Sequence, residues 1–327
     1  MCGIQGLHAF LSSQSSSSSS DESEQRMSVS KESLFLNDLY ASWLTRSEGM
    51  DLASQRDMFE EWHLPTIEPT DVTYEEVTAN GVPAMWAKPL GAAEDRVIVF
   101  THGGGFATGS RFSHRKLAAH LAKLTGVHAL IVDFRLAPEH KHPAQLEDCM
   151  AVQKWLRAKG YKSEYMATVG DSAGANLAIS TAFELASLEL PTPAAVVTLS
   201  PWLDMEIKGL TVDSNDAVDV LAKRAVLEMM REMFLADPAD ATDARANPLL
   251  NDYTDFSPVY VSVGGYETLL DDSRRLAELI EKVNGEVVLD VVDEQQHVFH
   301  FNAGRAPEAD QALSRIAQWL RPKLGLA

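Results

Sequence analysis

Cysteine is nearly absent from this chain, with two in 327 residues. That excludes a disulfide framework and makes a reducing compartment, the cytoplasm, the default expectation. Cys149 falls on a helical pattern and reads as a core thiol, while Cys2 lies in the N-terminal tail. Long apolar runs are missing too: nothing approaches the roughly 18 residues of a membrane-spanning helix, so membrane insertion is not expected. Basic residues are scarce, with 28 Lys and Arg against 47 Asp and Glu and a formal net charge of −19. Such a balance argues against nucleic acid, whose phosphates call for clustered cations, and against docking on anionic lipid. It reads as a repulsive surface that keeps the chain in solution.

At 45% hydrophobic residues the chain has ample material for a core, and its length suits one large α/β domain or two ordinary ones. The opening "MCGIQGLHAFLSSQSSSSSSDESEQR" has no basic region before its apolar start and no small-residue cleavage pattern after it, which argues against a secretory signal. Its serine run has nothing to bury. Residues 1–26 are therefore expected to be a disordered, dispensable leader, with the folded protein starting near Met27.

From Val72, "VTYEEV" turns at Asn80-Gly81 and returns through "VPAMWAKP", a strong hairpin pattern. Short apolar runs then recur: "RVIVF", "HALIVD", "YMATVG", "AVVTLS", "VYVSVG" and "VVLDVV". Between them lie helical stripes, such as Leu117, Leu121 and Leu124, or Leu276, Leu279, Ile280 and Val283. Apolar strands alternating with amphipathic helices predict an α/β fold: a mostly parallel sheet covered on both faces. Two segments break the alternation. Residues 27–62 are helical in pattern before the first strand, and residues 205–250 interrupt the sheet with Val226, Met230, Met233 and Phe234 on one helical face. That Met-rich stripe is either core packing or an adaptable lid over a site.

The stretch "GDSAG" ends one apolar run and opens a helical one, "ANLAISTAFEL". This is the setting of a G-x-S-x-G nucleophile elbow, a strained turn that lifts the Ser172 hydroxyl above the sheet. The helix N-terminus beneath favours negative charge. "THGGGF" follows the strand "RVIVF", and its glycines let backbone N–H groups approach a ligand. Ala173, Gly104 and Gly105 are the expected donors of an oxyanion hole. No GK[ST] follows and no G-x-G-x-x-G appears there, so phosphate and dinucleotide loops are not indicated.

"HGGGF" at 102–106, "DFRLAPEH" at 133–140, "GDSAGAN" at 170–176 and "SPWLD" at 200–204 occur in that order. Together they resemble the hormone-sensitive-lipase-like, or family IV, carboxylesterases of the α/β-hydrolase fold, from about Ser33 to the C-terminus. The resemblance implies an eight-stranded sheet with a helical cap and a serine esterase that uses no cofactor and no metal. It also implies short to medium acyl esters as substrates, and homodimers through the C-terminal part of the sheet. The domain would then run from 27 to 327, with cap segments at about 27–68 and 205–250. Arg135 and Glu139 read as scaffold, and His140 and His142 as surface or structural histidines.

In this fold the chain order is Ser, acid, His, and only His297 and His300 follow Ser172. His297, at the family's position in "QQHVFHF", is the expected base, and His300 a packing residue. The acid should follow "VYVSVG", where the family usually carries Asp in a D-x-L-x-D pattern. Here the chain reads E-T-L-L-D, so the matching residue is Glu267, a departure that needs a small backbone retreat for the longer side chain. Glutamate is chemically competent for the task. Asp271 and Asp272 look like N-caps of the following helix, and Asp204 is the next candidate. Phe106, Trp202, Tyr266, Met230, Met233 and Phe234 are candidate pocket walls or simply core. An amidase or deacetylase of a small acylated metabolite would use the same residues; a non-catalytic receptor would lack one of them.

Overall fold

The computed structural model describes residues 29–327; the leader expected at 1–26, and the start near Met27, lie outside these described residues. Asn80 and Gly81 both take positive φ, 56° and 93°. That conformation suits a two-residue hairpin turn. It joins β1 (Val72–Ala79) to β2 (Val82–Pro89). β3 (Ala93–Thr101), β4 (Val127–Val132), β5 (Met166–Asp171), β6 (Ala195–Leu199), β7 (Val259–Gly264) and β8 (Val287–Val292) follow the apolar runs. The eight-stranded sheet has the order β1-β2-β4-β3-β5-β6-β7-β8. β2 runs antiparallel to both its neighbours, and the pairings from β4 through β8 are all parallel. This is the α/β-hydrolase architecture.

The strands bury both faces, which is why they read as continuous apolar runs rather than alternating ones. Along β3, Ile98 and Phe100 point to one core and Val97 and Val99 to the other. The first core is closed by α1 (Leu34–Arg46), α3 (Arg111–Thr125) and α9 (Pro307–Lys323), through Tyr40, Leu117 and Ile316. On the opposite face α4 (Ala144–Ala158) and α5 (Ala173–Ser187) supply Cys149 and Leu177. Ile179 of α5 shares a further core cluster with Ile280 of α8 (Leu270–Lys282). α3 begins in a reciprocal cap between Ser110 and Ser113 and stops at Gly126, φ 77°.

The two segments outside the alternation are helical. The first holds α1, α2 (Leu52–Phe59) and a 3-10 turn, Glu60–His63; the second holds α6 (Leu210–Ser214) and α7 (Arg224–Phe234). Trp43, Phe59 and Trp62 pack edge-on or stacked at centroid separations of 5.0–5.2 Å. Arg56 of α2 donates to the carbonyls of Ala107 and Ala137 and pairs with Glu139. The first segment is thereby tied to the glycine loop and to the "FRLAPEH" loop. Among the described residues no helix is long and apolar enough to cross a membrane.

Candidate active site

Four loops at the C-terminal ends of parallel strands converge on Ser172: those after β3, β5, β7 and β8. Ser172 itself sits at φ 52° and ψ −121°, a conformation that costs about 1–3 kcal/mol and persists only where packing enforces it. The enforcement is visible: a Cβ at Gly174 would lie 2.0 Å from the Thr101 carbonyl oxygen, so α5 can start this close to β3 only with glycine there. The Ser172 N–H donates to Leu199 O at 2.9 Å, fastening the turn to β6.

His297 Nε2 lies 2.9 Å from Ser172 Oγ, and His297 Nδ1 lies 2.8 Å from Glu267 Oε2. A carboxylate only accepts, so Nδ1 carries the proton and Nε2 presents its lone pair to the hydroxyl. Glu267 is fully buried. Its second oxygen, Oε1, accepts from the Ser200 hydroxyl at 2.6 Å and from the Gly264 N–H at 2.5 Å. Burial pushes the Glu267 carboxyl above its ordinary value, opposed by hydrogen bonds from His297, Ser200 and Gly264. For His297 burial works against the imidazolium, but the hydrogen bond and charge of Glu267 outweigh it and raise the histidine above its usual range.

The glycine loop lies beside the serine. Gly104 adopts φ 107°, and a Cβ on it would fall 2.3 Å from the Thr108 carbonyl oxygen. Among the described residues the N–H groups of Gly104 and Gly105 have no protein acceptor. Ala173 opens α5, so its N–H precedes the first intrahelical bond and is free to point outward. Asp171 holds this loop in place: its Oδ1 accepts from the Gly103 N–H at 3.0 Å, and its Oδ2 lies 3.2 Å from His114 Nε2. Sequence reasoning missed Asp171, His114 and Ser200. Two of them stand inside quoted motifs, "GDSAG" and "SPWLD", but nothing in the motif says which side chain faces which loop.

Above the serine, a cavity of about 50 Å³ is closed by both helical segments. Phe59 and Trp62 come from the first, and Leu221, Val226, Leu227 and Met230 from the second, with Trp202 completing the wall. Met230 packs so closely on the glycine loop that a Cβ at Gly105 would meet its Cγ at 2.7 Å. Four residues expected at the pocket wall are elsewhere. Phe106 and Phe234 stack on each other with centroids 3.7 Å apart, locking α7 to the glycine loop from behind the cavity. Met233 is half-buried on the flank of α7, and Tyr266 is half-buried with its N–H on Gln295 O; neither lines the cavity.

The rival acids are occupied with other work. Asp204 pairs with Arg275 at 2.6 Å and accepts the N–H groups of Glu206 and Lys208. Asp271 and Asp272 are not N-caps, since Leu269 holds that place. They lie in the first turn of α8 and accept backbone N–H groups of Leu210, and of Leu203 and Asp204. His300 Nε2 faces Ser262 Oγ at 2.8 Å, and burial pushes this histidine down to about 3. His140 is exposed, and His142 meets Asp243 at 3.3 Å against the Phe234 ring. Arg135 is bound to Asp148 and Glu147 as scaffold.

Residues 98–301 match the model of a family described as having the alpha/beta hydrolase fold. Over 249 residues the chain is 33% identical to an acetyl-hydrolase of Streptomyces hygroscopicus, covering 76% of this chain and 83% of that protein. An esterase of Acinetobacter venetianus is 32% identical over 228 residues, 70% of this chain and 75% of its own length. Among solved structures, an esterase from the bacterial hormone-sensitive lipase family superposes with a TM-score of 0.87 at 34% identity, covering 91% of this chain and all of that one. With the eight-stranded sheet and the four converging loops, these likenesses place the chain: it belongs to the hormone-sensitive-lipase family of α/β-hydrolase-fold carboxylic ester hydrolases.

Proposed function

We propose that the chain hydrolyses esters of short to medium acyl chains through an acyl-enzyme on Ser172. The observation that carries this is the unbroken line Glu267–His297–Ser172, with contacts of 2.8 and 2.9 Å, beside backbone N–H groups left without protein acceptors. His297 takes the hydroxyl proton as Ser172 Oγ attacks the ester carbonyl. The N–H groups of Gly104, Gly105 and Ala173 receive the developing oxyanion, an interaction whose loss typically costs roughly 10²–10³ in rate per donor. His297 then protonates the departing alcohol, and water activated by the same imidazole releases the acid.

The small apolar cavity supports a short acyl group, and the name of one relative, an acetyl-hydrolase, supports the same size. Met230, with three rotatable side-chain bonds, is the wall best able to yield to a longer chain. The test is initial rates on p-nitrophenyl esters from acetate to laurate, wild type beside Ser172→Ala. Activity peaking at short chains and lost in the variant is expected; full activity in Ser172→Ala would refute the mechanism.

A further inference from the structure

The stretch between α6 and α7 contributes Leu221 and Ala222 to the cavity wall, and it is bonded to both sides of the Glu267–His297 pair. Asp219 is fully buried. One of its oxygens accepts the N–H groups of Leu221 and Ala222 at 2.9 and 2.8 Å. The other accepts the N–H of Thr268, the residue after Glu267, at 2.9 Å. Thr268 Oγ1 in turn donates to Ala222 O at 2.5 Å.

On the other side stands Gln296, the residue before His297. Its Oε1 accepts the Val220 N–H and its Nε2 donates to Val218 O, both at 2.8 Å, as a paired strand would. The first helical segment grips the same loop: Ser33 Oγ donates to Gln295 Oε1 at 2.6 Å, and Tyr40 OH donates to His297 O at 2.9 Å. Three consecutive residues, 295 to 297, are thus held by the two segments that roof the site.

We propose that Asp219 and Gln296 are positioning residues, which use segment 218–222 as a brace between the pocket wall, the acid-bearing turn and the histidine loop. The proposal rests on the Ser172 mechanism above. A brace of this kind has two separable effects. It fixes the Glu267–His297 distance, where a displacement of about 1 Å costs on the order of 10²-fold in rate. Asp219 also adds a negative charge that favours the imidazolium. The other groups facing His297 are Glu267 from the turn after β7, Asp171 from the end of β5, Ser172, the Tyr40 hydroxyl from α1, and His300 further along its own loop.

The two effects call for two variants, each assayed for kcat, KM and the pH profile of kcat/KM on p-nitrophenyl acetate. Asp219→Asn keeps the size, removes the charge and turns an amide NH2 toward a backbone N–H that a carboxylate oxygen now accepts. A fall in kcat of roughly 10- to 100-fold is expected, with the acid limb of kcat/KM moved to lower pH. Gln296→Leu removes both amide bonds and no charge, so a similar fall in kcat is expected with the acid limb unmoved. Thermal melts by circular dichroism establish that each variant is folded. Folded Asp219→Asn with wild-type kcat and an unmoved limb overturns the proposal. If that variant does not fold, Gln296→Leu decides alone, and wild-type kcat there overturns it. Activity surviving in Ser172→Ala would instead mark failure of the underlying mechanism.

Discussion

Each of the four carboxylates weighed as the acid is defined by its donors. Glu267 takes a histidine, a hydroxyl and a backbone N–H; Asp204 takes an arginine, the Asn247 amide and two backbone N–H groups; Asp271 takes one backbone N–H and Asp272 two. Only the first partner set includes a base in reach of Ser172. Glu267→Ala is expected to lower kcat by roughly 10³–10⁴-fold, the scale seen when the orienting carboxylate of a triad is lost. Asp204→Ala leaves the partly exposed Arg275 and the N–H groups of Glu206 and Lys208 without their acceptor, and is expected to lose about 1–3 kcal/mol of stability with kcat nearly kept. Steady-state kinetics beside urea unfolding of both variants checks this, and the reverse ranking of their kcat values would sink the assignment of Glu267. Glutamate serves here because its longer side chain folds back to the Gly264 N–H three residues earlier. The order Ser, acid, His came from the resemblance to the α/β-hydrolase fold; Ser200, which holds Glu267 from the end of β6, was legible in neither motif nor resemblance.

Among the elements, α7 links the cavity wall to the glycine loop. It buries Leu227, Met230 and Phe234 along one face, the 3- and 4-residue spacing of an amphipathic helix. The stripe read from the sequence, Val226, Met230, Met233 and Phe234, shares Met230 and Phe234 with that face, lacks Leu227 and could not divide the two. Met230 turns to the cavity, whereas Phe234, one turn on, stacks on Phe106, which itself sits at a positive φ of 62°. A non-glycine residue in that region needs packing to hold it. Phe234→Ala is therefore expected to cost about 3–5 kcal/mol and to raise KM for p-nitrophenyl butyrate, as α7 loosens over the glycine loop. Urea unfolding and steady-state kinetics read the two effects; unchanged KM with lost stability would show that the stack holds only the core.

At the scale of the whole molecule, the acidic surface and one buried carboxyl act on stability through pH. Burial pushes Asp272 up to about 7, against the hydrogen bonds from Asp204 and Leu203 that favour its charged form. Folded, the group holds its proton more tightly than when unfolded, so its contribution is most favourable below the ordinary carboxylate range. Stability is then lost as pH rises from about 4 toward about 7. Asp272→Asn keeps an acceptor for both N–H groups and cannot titrate. Thermal unfolding across that window should show a smaller decline for the variant than for wild type; parallel curves would exclude Asp272 as a source of the slope.

The sequence by itself determined the sheet, because strands buried on both faces must be apolar throughout and their helices must carry a stripe. It singled out Ser172 as the candidate nucleophile as well, since a serine between glycines at a strand-to-helix junction has few other uses. Chain order then left two histidines and a handful of acids. What only the tertiary structure decided is which side chains meet across loops far apart in the chain. Asp219 beside Thr268, Gln296 beside Val220, and Phe106 against Phe234 are such pairs. Periodicity and motif spacing report the neighbours of a residue along its own element. Contacts between loops depend on how strand ends and helical segments pack together, and no local pattern carries that information.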